Sequence, residues 1–462
     1  MSFNSIFFLF SALPLFYALY LLTPPKGKRY MLLVISFAAY FWVEPLFSIL
    51  LLMLACYLYL LNLRMQQVRQ YKKLAICMEL IGIVLFLLLY FKYYGFLLSG
   101  ISALTSFDFT LRLLIAPAGI SFISFSLISY AIDLYQGKLQ KQPKLGDFLL
   151  YVFYFPKIIM GPIMRYPDFE AQLKPLRISI AATHEGLCRF VIGLAKKVIL
   201  ANTFAFLFEQ ISANAALSML SAWIGAFAFT FQIYFDFSGY SDMAIGLSLL
   251  LGIRMPENFH YPYMANSIKD FWKRWHITLS TWFKDYVYIP LGGSRRKLPR
   301  VILNTFIVWS LTGLWHGASW NFVLWGIYYF VLLMLERYVL GGFLRKCPQT
   351  LRILLTFLLV AIGWMLFAFP DLAQMSDYLK AMFGANGLID EQSFWYFKNH
   401  LFYFLCAVIA STPLFHQIYL RTKAALRLPL HDLMILGLFI FSIILHQEKK
   451  ESNKLSVRQP LL

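Results

Sequence analysis

The chain has 462 residues, 60% of them apolar and 14% charged, against roughly 25% charged in an ordinary soluble domain. With 46 Phe, 28 Tyr and 11 Trp, it carries more apolar surface than a water-soluble globule of this size can hide. The net charge of +19 sits in short connections between apolar runs, which points to membrane topology and anionic lipid rather than nucleic acid.

Apolar runs recur at 5–22, 30–62, 75–91, 113–132, 190–208, 217–237, 301–315, 318–336, 352–369, 401–415 and 430–445. Each approaches or exceeds the roughly 20 residues that a helix needs to cross a hydrocarbon core. They predict an all-α polytopic membrane protein. The first run lacks a basic leader and a small-residue cleavage site, so it reads as a retained span. No soluble domain is visible at either end, which predicts one integral membrane domain over 1–446 and a polar tail over 447–462. The five cysteines show no CxxC pairing and read as small packing residues.

In chain order, Lys26, Lys28 and Arg29 form a first basic cluster, Arg64, Arg69, Lys72 and Lys73 a second, and Lys138, Lys141 and Lys144 a third. Basic loops favour the cytoplasmic side, so the connections 24–29, 63–74 and 136–146 are all expected there, with the N-terminus outside. Residues 30–63 must then cross and return, with the turn at Glu44-Pro45, because proline ends a helix and restricts its predecessor. The two halves are short for full crossings and are expected to be partial or tilted. Span 75–91 leads out, 97–110 lies outside, and 113–135 returns. Two stretches break the apolar pattern: "APAGISF" (116–122) with Pro117 and Gly119, and "FPKIIMGPIMRY" (155–166) with two prolines and two cations. Broken backbone at membrane depth survives only where protein buries it or a wet cavity borders it, so an enclosed polar cavity is expected.

Further on, "FQIYFDFSGYSDMAIG" (231–246) places Gln232, Asp236, Ser238, Ser241 and Asp242 in an apolar setting. It fits a cation site, a support network for nearby histidines, or a loop between spans. Residues 268–287 fit one interfacial helix. Ile268, Phe271, Trp272, Trp275, Leu279, Trp282, Phe283 and Tyr286 recur at helical steps, while Lys269, Lys273, Arg274 and Lys284 fall on other faces. On that helix His276 points to the apolar side. A second histidine stands in "LTGLWHGASWNFVLWG" (311–326), where Gly313, Gly317, Ala318 and Ser319 strip bulk from around His316 and let a backbone or a ligand come close. An ionisable group inside a span is a functional candidate, although a buried imidazole bonded to a carbonyl is the plainer reading.

At these residues the chain resembles a known family. "FWKRWHITLSTWFKDYVYIPLGGSR" and "LTGLWHGASWNFVLWG" are similar to the two signature regions of the membrane-bound O-acyltransferases. "YFPKIIMGPIMRYPDF", "FQIYFDFSGYSDMAIG" and "IGWMLFAFPDL" resemble further stretches of the family's bacterial branch. Within it, "YIPLGGSR" is most similar to the membrane subunits that acetylate alginate and related polysaccharides or peptidoglycan; teichoic-acid D-alanyl transferases look more distant. The resemblance implies a ring of about eleven transmembrane helices, with re-entrant and interfacial helices around a central funnel. It makes His316 the catalytic histidine and His276 its signature partner. Two departures bear on substrate and partner docking: "MLFAFPDL" lacks the arginine expected after Phe367, and the terminus "HQEKKESNKLSVRQPLL" lacks an aromatic, arginine-containing end.

The function so implied is transfer of an acyl group, acetyl first, from a cytosolic thioester towards an extracytoplasmic hydroxyl. The donor is expected to be acetyl-coenzyme A or an acyl carrier, with no tightly bound cofactor and no metal. A neutral imidazole at His316 would take the hydroxyl proton. His276 would hydrogen-bond the acyl carbonyl or the acceptor and steady the developing oxyanion. Trp275, Trp315, Asp236, Ser319, Asn321, Lys273 and Arg274 are expected to line the substrate. An SGNH-type extracytoplasmic acetyltransferase is the expected partner, the bilayer the expected setting and the bacterial inner membrane the expected location. The rival readings are D-alanyl transfer to teichoic acid, a non-catalytic scaffold, and a transporter or flippase with Asp236, Asp242 and both histidines along its path. No pseudo-repeat between halves supports the last.

Overall fold

Proline and glycine interrupt the apolar runs, and the computed structural model shows where each interruption lands. It describes residues 3–105, 115–139, 143–173, 176, 178–214, 216–414, 417 and 428–458. Lys141, residues 106–110 of the segment expected outside, and the last four residues lie outside the described ones. Among those described, all regular structure is helical.

The N-terminal part runs through α1 (Leu13–Leu22), α2 (Lys28–Val43), α3 (Pro45–Gln67) and α4 (Gln70–Leu88). A widened π turn, Leu89–Tyr93, joins α4 to α5 (Tyr94–Thr105). Five helical stretches are long and apolar enough to cross a membrane: Pro45–Gln67, Gln70–Ser102, Ile180–Ser212, Trp320–Lys346 and Gln349–Ala368. Shorter apolar helices cover Phe8–Leu22, Ile120–Tyr135 and Asp432–Gln447. A multi-pass, all-α membrane protein is what these lengths describe; a count near eleven needs the shorter helices as well. The second half of the 30–63 run differs from expectation, because α3 reaches 23 residues and is full-length.

The helix breaks meet one another. Glu44 leaves the helical region (φ −136°, ψ 73°) between α2 and α3. Its Oε1 accepts a hydrogen bond from the Ala118 backbone N–H (2.9 Å), and the Tyr40 hydroxyl donates to the Ala118 carbonyl (2.7 Å). Next to it, Gly119 is left-handed (φ +78°) and packs so tightly that a Cβ there would run into the Ile158 carbonyl. Ile158 belongs to the single helical turn Phe155–Ile158 of the other broken stretch. The orphaned backbone groups of one break are thus satisfied by residues at another, as a low-dielectric setting demands.

The basic connections share one end of the molecule. Arg29 pairs with Asp147 (3.5 Å), and Tyr59, in the second half of α3, donates to the Pro143 carbonyl (3.1 Å). This is the arrangement that the charge distribution predicts.

The chain continues through α6 (Ile120–Tyr135), α7 (Leu145–Phe153), α8 (Ile180–Ala195), α9 (Asn202–Ser212) and the 32-residue α10 (Met219–Leu250). Because α10 is unbroken, residues 231–246 are not a loop. Small residues let α8 and α10 cross closely, with Gly186 against Gly246 and Gly193 against Gly239. Beside this seam, Asp242 pairs with Arg189 (2.8 Å) and Lys196 (2.7 Å), and Asp236 with Lys197 (2.5 Å).

The single helix expected over 268–287 is two: α11 (Ile268–Arg274) and α12 (Ile277–Phe283), the latter extended by a π turn to Tyr288. Between them Trp275 is extended and His276 left-handed (φ 43°). The break exists because backbone groups here bond elsewhere: the His260 N–H donates to the Arg274 carbonyl and the Ile277 N–H to the Asn258 carbonyl, both at 2.9 Å. Apolar periodicity cannot register such a competitor. The remaining helices are α13 (Leu298–His316), α14 (Trp320–Leu335), α15 (Gln349–Ala368), α16 (Leu372–Met382), α17 (Glu391–Ala410) and α18 (Leu428–Arg458), the last passing through the expected tail boundary at 446. Two apolar clusters fill the interior. One gathers α1–α4, α6, α7, the C-terminal part of α10 and α12 with Trp315, the other α9, the N-terminal part of α10, α11 and α14–α17. His276 and His316 lie where they meet.

Candidate active site

His276 is 1% exposed, and its tautomer follows from its neighbours. The Asn258 side-chain oxygen accepts from the Thr278 backbone N–H (3.3 Å) and from the Thr278 hydroxyl (2.9 Å), and His276 Nδ1 lies 3.0 Å from that same oxygen. A backbone N–H can only donate, so the atom facing these groups is the amide oxygen, and the Asn258 amide nitrogen turns to Ser241 Oγ (3.3 Å). A neutral His276 therefore carries its hydrogen on Nδ1, leaving a lone pair on Nε2. Nε2 is buried and has no partner among the described residues. Of the two roles expected for His276, this form suits a bond accepted at Nε2 from the acceptor and not one donated to an acyl carbonyl. The left-handed backbone, which costs of order 1–3 kcal/mol at a non-glycine residue, is what turns the ring inwards.

His316 is the last residue of α13 and is half-buried. Its ring lies against Trp325 (5.0 Å between centroids) and Phe367 (5.2 Å). Trp315 touches both histidines, 4.9 Å from His316 and 5.9 Å from His276. Phe237 (4.7 Å) and Phe122 (6.4 Å) complete the wall around His276. The Trp315 indole N–H is buried without a partner among the described residues, which leaves one donor beside the acceptor at His276. Phe322 fills the space at both glycines near His316: a Cβ at Gly313 would meet its carbonyl and one at Gly317 its ring, as α13 and α14 pack together.

The other expected lining residues divide. Trp315 is at the centre. Asn321 acts one step away, its amide donating to the Phe367 carbonyl (3.1 Å) and so holding the ring that packs on His316. Ser319 starts α14 beside His316 in sequence without capping it. Trp275 packs into the apolar cluster against Trp364 (4.7 Å) and Phe259 (5.1 Å). Asp236 is turned to Lys197, and its neighbour Phe237 faces His276 instead. Arg274 pairs with Asp270 (3.0 Å) and Lys273 is exposed, so neither is brought to the histidines. Of the polar group 231–246, Ser241 supports a histidine, holding Asn258 as Asn258 holds His276, while Asp236 and Asp242 pair with cations.

Three contributors escaped the sequence reading. Asn258 sits in an irregular stretch without periodicity. Lys92 and Tyr93 follow directly on the apolar run 75–91 and looked like its boundary, whereas the helix continues past them to Thr105. The Lys92 ammonium donates to Ser121 Oγ (3.0 Å) and to the Trp315 carbonyl, and the Tyr93 hydroxyl donates to the Leu314 carbonyl (2.5 Å). Those carbonyls belong to the last turn of α13, where a helix leaves its acceptors unpaired. A lysine abutting an apolar run was the available signal.

Comparison with known proteins adds an independent line. The profile of the family described as "MBOAT, membrane-bound O-acyltransferase family" matches residues 36–376. The chain is 39% identical over 389 residues to "Probable alginate O-acetylase AlgI" of Pseudomonas aeruginosa, covering 83% of this chain and 75% of that one. It is 34% identical over 424 residues to "Peptidoglycan O-acetyltransferase" of Helicobacter pylori, covering 84% and 80%. Against "Teichoic acid D-alanyltransferase" of Bacillus subtilis the match is 31% over 236 residues, covering 48% and 58%. Two signature histidines joined through one tryptophan, on a polytopic helical scaffold matched along most of its length, make this chain a member of the membrane-bound O-acyltransferase family.

Proposed function

We propose that this acyltransferase moves an acetyl group from a cytosolic thioester, acetyl-coenzyme A in the first instance, to O-acetylate an extracytoplasmic polysaccharide. The convergence of His276 and His316 on Trp315 carries the reading, because it sets two imidazoles against one indole in the interior of an acyltransferase fold. Acetyl is favoured over D-alanyl because the acetylating relatives match 83–84% of the chain and the D-alanyl transferase about half. His316, half-buried, is the general base for the attacking hydroxyl. His276 presents its Nε2 lone pair to the acceptor side of the reaction, not to the acyl carbonyl. Delivery to the polysaccharide calls for an extracytoplasmic partner, for which an SGNH-type acetyltransferase has the right chemistry, and the bacterial inner membrane is the setting.

The test is a comparison of His316→Ala, His316→Gln, His276→Ala and His276→Asn by glycan acetylation per unit of membrane-inserted protein. Loss of a general base costs about 10²–10⁴-fold, so both His316 variants should be nearly inactive at normal abundance. Asn at 276 can still offer an acceptor oxygen and should retain more activity than Ala. Wild-type acetylation in His316→Gln would remove the base and the mechanism with it.

A further inference from the structure

Acyl transfer from a thioester needs a group that the histidines do not supply. When a hydroxyl adds to the thioester carbonyl, its oxygen gains negative charge, and a water-poor site must meet that charge with donors or a cation already in place. His276 is held in the tautomer with no free N–H. Building on the acyl-transfer reading, we propose that Lys92 is a catalytic residue, its ammonium stabilising the oxyanion of the acyl group beside His316.

Four observations carry this. First, Lys92 lies inside Gln70–Ser102, a stretch long and apolar enough to span a membrane, where a cation is costly and marks function by default. Second, it forms no ion pair with any carboxylate among the described residues. Arg189, Lys196, Lys197 and Lys138 each have an aspartate, whereas the partners of Lys92 are a hydroxyl, a carbonyl and the faces of Tyr93 and Trp315. Third, an ammonium has three N–H donors, and Ser121 and the Trp315 carbonyl take two, which fixes the head group and leaves the third for a ligand. Fourth, the carbonyl it grips belongs to the residue next to His316, and Tyr93 grips the one before it, so cation and base are tied to the same helical turn. Both side chains leave the helix at the π turn Leu89–Tyr93, a device frequent at functional sites.

In the step itself the hydroxyl oxygen bonds to the acyl carbon and gives its proton to His316. The carbonyl π pair moves to oxygen, where Lys92 meets it. On collapse the C–S bond breaks, the thiolate leaves with its electron pair, and the proton on His316 passes to sulfur. Lys92 is unchanged throughout.

The test measures acetyl transfer by the full-length protein in membranes, with kcat and KM for acetyl-coenzyme A separated, for Lys92→Gln, Lys92→Arg and Tyr93→Phe. Gln can still donate to Ser121 and the Trp315 carbonyl but carries no charge. Its kcat should fall about 10²–10³-fold, the usual cost of an oxyanion donor, with KM nearly unchanged. Arg, which keeps the charge, should retain more activity than Gln. Tyr93→Phe, which removes only a carbonyl cap, should lose less than about 10-fold, since one hydrogen bond contributes about 1 kcal/mol. Wild-type kcat in Lys92→Gln, a change confined to KM, or equal loss in Gln and Arg would each overturn the assignment. Absence of transfer by the wild-type protein would instead overturn the acyl-transfer reading, and this proposal with it.

Discussion

Asn258 offers the sharpest test of how the site is assembled. Its side chain accepts from His276 Nδ1, the Thr278 N–H and the Thr278 hydroxyl, and donates to Ser241. In Asn258→Leu the two hydroxyls can turn to other acceptors, but His276 Nδ1–H and the Thr278 N–H cannot. Each orphaned buried donor costs about 1–3 kcal/mol, so the substitution should destabilise the protein by about 2–6 kcal/mol. Asn258→Asp keeps the oxygen that all three donors use, and Ser241 can turn to donate to the second one. It should therefore hold the ring in place and keep more activity than the Leu variant, while burying a carboxylate at this site costs stability of its own. The assay is the folded fraction surviving a graded heat step in detergent, read beside acetyl transfer in membranes. The Leu variant should drop in both, with activity reduced at least about 10²-fold because the His276 ring is released. An Asn258→Leu protein as heat-stable and as active as wild type would refute the tautomer argument and the acceptor role it gives to Nε2.

Two further outcomes follow from the fold. Gly119→Ala places a Cβ against the Ile158 carbonyl at a left-handed position that alone costs about 1–2 kcal/mol, so heat stability should fall clearly, whereas Gly437→Ala on α18, with open space around it, should be neutral or gain up to about 1 kcal/mol; equal effects at the two sites would show that the breaks do not meet as described. Single cysteines at Lys26, Lys72 and Lys144, in a chain stripped of its own cysteines, should resist an impermeant thiol reagent applied from outside, and strong outside labelling at residue 72 would contradict the shared cytoplasmic end.

The sequence exposes some of this architecture and hides the rest for definable reasons. The membrane class, the breaks at Glu44-Pro45 and Pro117–Gly119, and both histidines were legible, because apolar length, proline and an ionisable group in a greasy run are local signals. The break at His276 was not. Residues 268–287 satisfy helical periodicity throughout, and what divides them is a segment eighteen residues back in the chain, through Asn258 and His260. Asp236 was misjudged for a related reason: on α10 it is one position away from Phe237, and a shift of one residue on a helix turns a side chain from His276 to Lys197. Lys92 was hidden by its place at the end of an apolar run, where a cation ordinarily marks the water boundary.

Apart from Ser241 on the unbroken α10, the polar groups described at the site stand at an interruption of a helix or are held by one, and there is a physical necessity in this. A regular helix spends its own backbone donors and acceptors, so at membrane depth it offers a substrate only side chains. A chamber with directed hydrogen bonds must be made where helices end, and each end then needs something to satisfy what it exposes. Glu44 and Tyr40 do this for Ala118, Asn258 for Ile277 and Thr278, and Lys92 and Tyr93 for the last carbonyls of α13. The satisfying residue comes from a distant part of the chain at Ala118 and at α13, so each of those caps is also a tertiary contact. The same bonds that make a broken helix tolerable in the bilayer therefore help to fix the positions of His276 and His316 relative to each other, and stability and the geometry of the proposed site are one arrangement here.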